Sequence, residues 1–391
     1  MNSQRVKLGV AATFLAHAVL FSSWAAHVPQ VQARLELSNA QLGLALFGAP
    51  LGSVLASLFG HWALPRWGSQ RLVPPLVAGY AAAGPTVGLA GSGIWLFAAL
   101  SLWGTFQGGL DVAMNTQAAT VERWAGAPLM SRFHGVWSLG ALIGALIGAG
   151  AVSAHIGLAA QLAVLGGIVL VTVAPLVRRL IPDHQEHGSA QAGDAPKRTW
   201  LTSTVAILGA VAFASFVAEG AAADWSATYL HNVVHRGNGA AGLGYAAFTL
   251  TMVVTRFAGL RLQSRLSSRR LLPGLALLAA VAMSVALATA DPVLAVLGFA
   301  TLGAGVALLV PTTFSAAYSA TSVGGSAIAL VAATGWFGYV LGPPLIGQLA
   351  ALVGLGAALL TIPAMLVIAA TAVYCTSAFD GADEFHRAPT D

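Results

Sequence analysis

Two stretches of this chain, 201 residues apart, superimpose without a gap: Ser23-Trp24-Ala25-Ala26 through Leu42-Gly43-Leu44-Ala45 matches Asp224-Trp225-Ser226-Ala227 through Leu243-Gly244-Tyr245-Ala246. The chain is a duplication, so whatever one half folds into the other half must fold into as well. Both copies sit among apolar runs long enough to cross hydrocarbon, which takes about 20 residues per helix. Such runs fall at approximately 7–28, 40–64, 72–91, 94–120, 132–154, 157–177, 201–230, 240–262, 271–290, 293–318, 325–349 and 354–377. They are rich in Ala, Leu, Val and Gly, and a lone strand would leave its backbone unpaired in lipid, so helices are required.

The predicted fold is an all-α membrane protein, with twelve transmembrane helices in two pseudo-symmetric six-helix halves. The first half covers 1–177, a cytoplasmic linker 178–200, the second half 201–379, and a disordered cytoplasmic tail 380–391. Pro182, Gly188, Gly193 and Pro196 break any helix in the linker. A parallel pair of membrane halves is how one large class of secondary transporters is built.

Composition excludes the soluble alternatives. With 57% hydrophobic and 8% charged residues, too few polar groups remain to clothe a water-soluble globule of 391 residues. The net charge of +5 does not indicate a nucleic-acid partner, because the cations fall between apolar runs rather than on one amphipathic face. Placing both termini in the cytoplasm puts Arg5, Lys7, Arg66, Arg71, Arg123, Arg132, Arg178, Arg179, Lys197, Arg198, Arg261, Arg265, Arg269, Arg270 and Arg387 inside. Only Arg34 and Arg236 then fall outside, the asymmetry expected of a multi-pass bacterial inner-membrane protein. The first run has the outline of a signal peptide, but it is long for one, and its Ser-Trp motif recurs in span 7, where no signal peptide can be. Cys375 is the single cysteine, so no intrachain disulfide or cysteine metal site arises.

Several local strings then carry a resemblance. They are Ser23-Trp24-Ala25 in span 1, Asp111-Val112-Ala113-Met114-Asn115 with Val121-Glu122-Arg123 in span 4, and His134-Gly135-Val136-Trp137-Ser138-Leu139-Gly140 in span 5. In the second half they are Ala218-Glu219-Gly220 with Asp224-Trp225, and Val340-Leu341-Gly342-Pro343-Pro344-Leu345-Ile346-Gly347. Over nearly its whole length the chain resembles the major facilitator superfamily, and in these strings its YbjJ-type branch of bacterial inner-membrane permeases. That resemblance implies transport by alternating access around one central cavity lined by spans 1, 4, 7 and 10.

The superfamily signature after span 2, Gly-x-x-x-Asp-Arg-x-Gly, keeps Arg66 and Gly68 here but has Pro65 in place of the acid. The second copy, Ser264-Arg265-Leu266-Ser267, lacks the acid too. Arg66 and Arg265 remain inner-gate candidates, acting through Glu122 or helix-end carbonyls. Relative to drug–proton antiporters the chain keeps Gln107 and Gly108 but has Gly104 at their arginine position, and its Gly140 to Gly144 step lacks the following proline. These departures favour symport over antiport.

The residues themselves point the same way. An ionised Asp near mid-bilayer costs about 2.5–3.5 kcal/mol, so Asp111 must face a cavity or a partner. Gln107, Asp111 and Asn115 are spaced by four and share one helix face, either as a functional column or as an interhelical seam. Glu219, deep in span 7, is the second proton-coupling candidate, and Asp224, nearer the outer surface, is the third. His17, with Phe21 and Trp24 at spacings of four and seven, reads as lining for a sugar-like or aromatic solute, or as hydrogen-bond glue. His134 serves the inner gate or the substrate. Arg256 is a permanent cation in span 8 that must pair with an acid or meet an anionic solute. Trp137, Trp336 and Tyr339 are candidates for cavity walls or for packing. Glycines 140, 144, 148, 338 and 342 form ladders that let helices approach closely.

No nucleotide-binding loop, metal-ligand cluster or nucleophile–base pair is present, so neither an enzyme nor a cofactor is expected. The expected partners are a small-molecule solute, a proton and the lipid bilayer, with the protein a monomer. The leading expectation is a proton-coupled symporter of a small organic solute. The alternatives are a proton-coupled exporter of drugs or metabolites and a non-transporting sensor or scaffold, which would need a larger soluble output domain than the linker or tail supplies.

Overall fold

The computed structural model describes residues 3–125, 129–178, 180–181, 202–319 and 324–380. Each expected span is helical there, and no strand occurs among the described residues. Span 1 is Ser3–Ser23, continued by Ala25–His27 and Val28–Arg34. Span 2 is Asn39–Leu46 with Gly48–Trp67, span 3 Ser69–Gly88, span 4 Gly93–Ala125, span 5 Met130–Ser153, and span 6 Leu158–Thr172 with Ala174–Val177. Span 7 is Ser203–Asn232, span 8 Asn238–Ala241 with Leu243–Arg265, and span 9 Ser268–Thr289. Span 10 is Pro292–Val306 with Leu309–Ser319, span 11 Gly324–Val353, and span 12 Leu355–Leu359 with Thr361–Cys375.

Among the described residues, nine helices are long and apolar enough by themselves to cross a membrane. Spans 3, 4 and 8 fall short for local reasons. Span 3 holds Pro74, Pro75 and Pro85, span 4 holds Gln107, Asp111 and Asn115, and span 8 holds Arg256, Arg261 and Arg265. Outward-facing large apolar side chains supply the complementary signature, with Val171 76% exposed and Phe257 72% exposed, as suits a lipid solvent.

Contacts gather the chain into two compact units, Met1–Gln191 with Gly237–Leu243, and Ala192–Arg236 with Gly244–Asp391. The expected linker lies outside the described residues except at 178, 180 and 181, and the expected tail lies outside them beyond 380. In the first unit span 1 packs on span 5, span 2 on span 4, and span 3 on both 4 and 6. In the second, span 7 packs on span 11 and span 9 on both 10 and 12, and Gly303 of span 10 meets the Phe248 carbonyl of span 8, the same scheme that the duplication demands.

Small residues set the closest approaches. A Cβ at Gly52 would strike the Ser101 carbonyl, and one at Gly104 the Ala49 carbonyl, so spans 2 and 4 touch backbone to backbone. An arginine has no room at 104, which is the physical content of that departure from the antiporter pattern. Spans 1 and 5 meet similarly, Gly144 against Val19 and Gly148 against Ser23. We expect Gly104→Ala to cost about 1–3 kcal/mol through overpacking. Gly167→Ala, with nothing within 4 Å of its added carbon, should be neutral or slightly stabilising. Thermal unfolding of the two purified variants distinguishes them, and equal midpoints would refute the tight contact.

Gly68 links spans 2 and 3 in a single residue at φ 74°, a conformation that a Cβ disfavours. Its place in the signature is therefore a turn requirement, independent of the missing acid.

Span 1 departs from the uninterrupted helix that its apolar run suggests. The α-helix ends at Ser23 and resumes at Val28 after a 3-10 turn. The Ser23 carbonyl freed by the break accepts from Gln161 Nε2 on span 6 at 3.1 Å, and Gln161 Oε1 is 2.8 Å from His27 Nε2. One glutamine thus holds both sides of the break. The matching stretch of span 7 stays helical through Asn232. There Thr228 stands in place of His27, and Ala358, four residues after Gly354 as Gln161 is after Gly157 in the parallel Val353-Gly354-Leu355 and Ile156-Gly157-Leu158 runs, stands in place of Gln161.

Candidate functional site

In the first unit the chemistry is concentrated on span 4. Asn115 Nδ2 donates to the Asp111 backbone oxygen at 2.8 Å and to Asp111 Oδ1 at 3.2 Å. Asp111 is partly exposed and forms no ion pair with any described residue. One turn earlier, Gln107 Oε1 accepts from Ser53 Oγ at 3.2 Å, and the same hydroxyl lies 2.9 Å from the Gly104 carbonyl.

His17 ties three spans to this column. Trp137 Nε1 donates to His17 Nδ1 at 3.0 Å, while His17 Nε2 lies 3.3 Å from the Gln107 carbonyl. Indole is donor only, so Nδ1 must accept, and the imidazole proton sits on Nε2 facing the carbonyl. Both ring nitrogens are therefore engaged in the neutral tautomer. His17 is 3% exposed, which makes it the fastening of Trp137 and Gln107 rather than a wall of open space. Its ring lies 5.5 Å from Tyr80, which in turn stacks on Trp103 at 5.2 Å. Trp137 is only partly buried. Trp24 is 4% exposed beside the break in span 1, and His134 is exposed and meets Phe14 edge-on at 5.4 Å.

The second unit carries a different arrangement. Arg256 Nη2 lies 3.8 Å from Glu219 Oε1, and Arg256 Nε donates to the Ala307 carbonyl at 3.3 Å. The two side chains are 31% and 23% exposed, so the pair is partly open. Asp224, five residues beyond Glu219, is partly buried, with no hydrogen bond or ion pair among the described residues. Trp336 is exposed between Phe216 at 5.8 Å and Tyr339 at 5.9 Å, and Gly220, beside Glu219, leaves room for the Tyr339 ring.

The gate candidates go their own ways. Glu122 Oε2 accepts from the backbone N–H groups of Leu129 at 2.7 Å and Met130 at 2.6 Å, so it caps the start of span 5, where a carboxylate complements the helix dipole. Arg66 folds back on its own helix, donating to the Trp62 carbonyl at 2.7 Å with its guanidinium 4.4 Å from the Trp62 ring centroid. Arg265 is exposed, with no hydrogen bond or ion pair among the described residues. The structurally important polar groups not singled out from sequence are His27 and Gln161. Their signal was available, because each is an isolated polar side chain in an apolar run.

The family profile described as Major Facilitator Superfamily matches residues 9–343. The chain belongs to the major facilitator superfamily. Among curated members it is similar to an uncharacterized MFS-type transporter of Yersinia pestis, 32% identical over 340 residues, covering 86% of this chain and 87% of that one. It is likewise similar to the membrane protein MosC of Rhizobium meliloti, 32% identical over 378 residues, covering 95% and 89%. Among solved structures it is similar to the nucleoside transporter NupG, with a TM-score of 0.72, 15% identity and coverage of 96% and 99%. A bacterial homolog of the human lysosomal transporter Spinster, in an inward-facing and occupied conformation, aligns with a TM-score of 0.71, 18% identity and coverage of 96% and 96%. Membership of this superfamily makes the chain a multi-pass membrane transporter.

Proposed function

We propose that this protein is a secondary active transporter that moves a small organic solute across a bacterial cytoplasmic membrane by alternating access, in symport with a proton. The observation that carries the reading is Asp111: a partly exposed carboxylate in mid-span that no cationic side chain among the described residues neutralises. In a membrane helix such a group needs a mobile counter-charge, and a proton is the smallest one available. Glu219 has its counter-charge built in as Arg256, which leaves Asp111 the better carrier. Gln107 and Asn115 supply amides on the same helix face, and the partly buried Trp137 indole is tied toward Gln107 through His17, a set suited to a solute with hydroxyl groups and a flat apolar face.

Purified protein in proteoliposomes with an imposed inward proton gradient is the test. Accumulation of a solute found by a thermal-shift screen of sugars, nucleosides, amino acids and cationic drugs would support symport. Accumulation under the opposite gradient would replace symport by antiport, and no gradient-driven movement of any stabilising solute would defeat the transport reading.

The proposal places both termini in the cytoplasm. Single cysteines at Gly193, which lies outside the described residues, and at Gly237 in a Cys375→Ser background should react with an impermeant thiol reagent from opposite sides of the membrane. Labelling of both from the outside of intact cells would overturn the orientation.

A further inference from the structure

The end of span 2 presents a cluster to which the proposed transport reading gives no role. Phe59, Trp62 and Trp67 are 55%, 44% and 41% exposed. Their rings nevertheless form one group, with Phe59 5.1 Å from Trp62 and Trp62 5.2 Å from Trp67 in an edge-on arrangement. Three large aromatics left open together at the end of a membrane-spanning helix belong at the level of the lipid headgroups. Arg66 sits among them. Its Nη1 is spent on the Trp62 carbonyl and its plane is held near the Trp62 ring. The guanidinium is thereby fixed in place, while its remaining N–H groups are left for an acceptor from outside the protein.

Among the described residues at this end of the unit, the unpaired charges have one sign. Arg71 at the start of span 3 and Arg132 at the start of span 5 are exposed, with no hydrogen bond or ion pair through their side chains among the described residues. Glu122, near the end of span 4, is consumed by the backbone of Leu129 and Met130. Spans 2 and 4 run in the same direction, with Gly52 against Ser101, Gly108 against Ser53 and Gly60 against Val112, so Arg66 and Glu122 approach the same end of the unit.

We propose that Arg66, framed by Phe59, Trp62 and Trp67, is a binding site for an anionic phospholipid. The guanidinium takes the phosphodiester in a charge-assisted hydrogen bond, and the open rings take the glycerol and upper acyl region. A zwitterionic lipid is disfavoured, because no free carboxylate among the described residues named here stands ready for its ammonium, and Arg71 and Arg132 repel it.

The test is native mass spectrometry of the purified full chain titrated with phosphatidylglycerol or phosphatidylcholine of matched acyl chains. We expect phosphatidylglycerol to bind more tightly than phosphatidylcholine, and Arg66→Gln to weaken the tightest phosphatidylglycerol event about tenfold, the scale of one charge-assisted hydrogen bond. Trp62→Leu should weaken it as well, by removing the face that orients the guanidinium. Arg261→Gln, which removes an exposed cation on span 8, should leave it unchanged. Soluble glycerophosphoglycerol at equal concentration should not displace the lipid. The proposal is overturned if the two lipids bind alike, if Arg66→Gln retains wild-type affinity, or if Arg261→Gln is as damaging as Arg66→Gln. Displacement by the soluble headgroup would overturn it in favour of a simple phosphate site. None of these readings depends on the transported solute.

Discussion

Asp111→Asn should abolish pH-driven accumulation of the solute in proteoliposomes while leaving exchange between equal pools intact. Asparagine is nearly the shape of the protonated acid, so the variant is held in the proton-loaded form with no proton to release. Net transport requires that release, whereas exchange requires only that the loaded carrier reorient. The neighbouring amides remain in place, because the Asn115 Nδ2 bond to the Asp111 backbone oxygen, at 2.8 Å, does not need a carboxylate. The expected loss of accumulation is complete rather than graded. Full pH-driven uptake by Asp111→Asn would reassign Asp111 to a polar seam with Asn115 and Gln107. Loss of both uptake and exchange would indicate instead that the carboxylate binds the solute.

The second large effect concerns Arg256 and Glu219, and it is one of stability. Glu219→Leu leaves a permanent guanidinium inside span 8 with, among the described residues, only the Ala307 carbonyl as acceptor, and Arg256→Met leaves a carboxylate with no counter-charge. Removing one partner of a buried pair costs about 3–5 kcal/mol. Because both side chains retain some exposure, at 31% and 23%, each single variant should lie near the lower end, about 3 kcal/mol. Glu219→Leu combined with Arg256→Met removes the charges together and should recover most of that loss, giving a coupling energy well above that of independent sites. Thermal unfolding of the singles and the double in one detergent measures the cycle. Additive losses would mean that the 3.8 Å separation is proximity without interaction.

The spans were readable in sequence because lipid imposes a single demand on every residue between its two surfaces, and the apolar runs record it directly. Even spans 4 and 8 are recoverable, although Asp111 and Arg256 reduce their hydropathy, since the duplication requires that a partner exist for each span of the other half. The column of Gln107, Asp111 and Asn115 was equally plain, because helical spacing alone places them on one face. What sequence could not supply is which distant helix each group meets. Glu219 and Arg256 were each conspicuous, but their contact depends on how spans 7 and 8 pack. Glu122 had the chemistry of a gate, yet the start of span 5 lies against it, and the backbone N–H groups of Leu129 and Met130 claim the carboxylate. His17 had the outline of a lining residue. Only the placement of Trp137 and Gln107 on either side of its ring reveals that both nitrogens are taken.

The staple across the break in span 1 has a mechanical consequence. An unbroken helix transmits a tilt along its whole length, while one interrupted between Ser23 and Val28 can bend there, and Gln161 and His27 decide how readily. Span 7 has no such joint: Leu230 stands where span 1 has the helix-breaking Pro29, and Thr228 and Ala358 stand in place of His27 and Gln161. Duplication therefore produced two halves with one pattern of helix pairing and different first helices: span 1 carries an elbow near its end, and span 7 is an uninterrupted helix. The joint and its staple lie in Pro29, His27 and Gln161, none of which is repeated in the second half, so the two halves answer the same tilt differently.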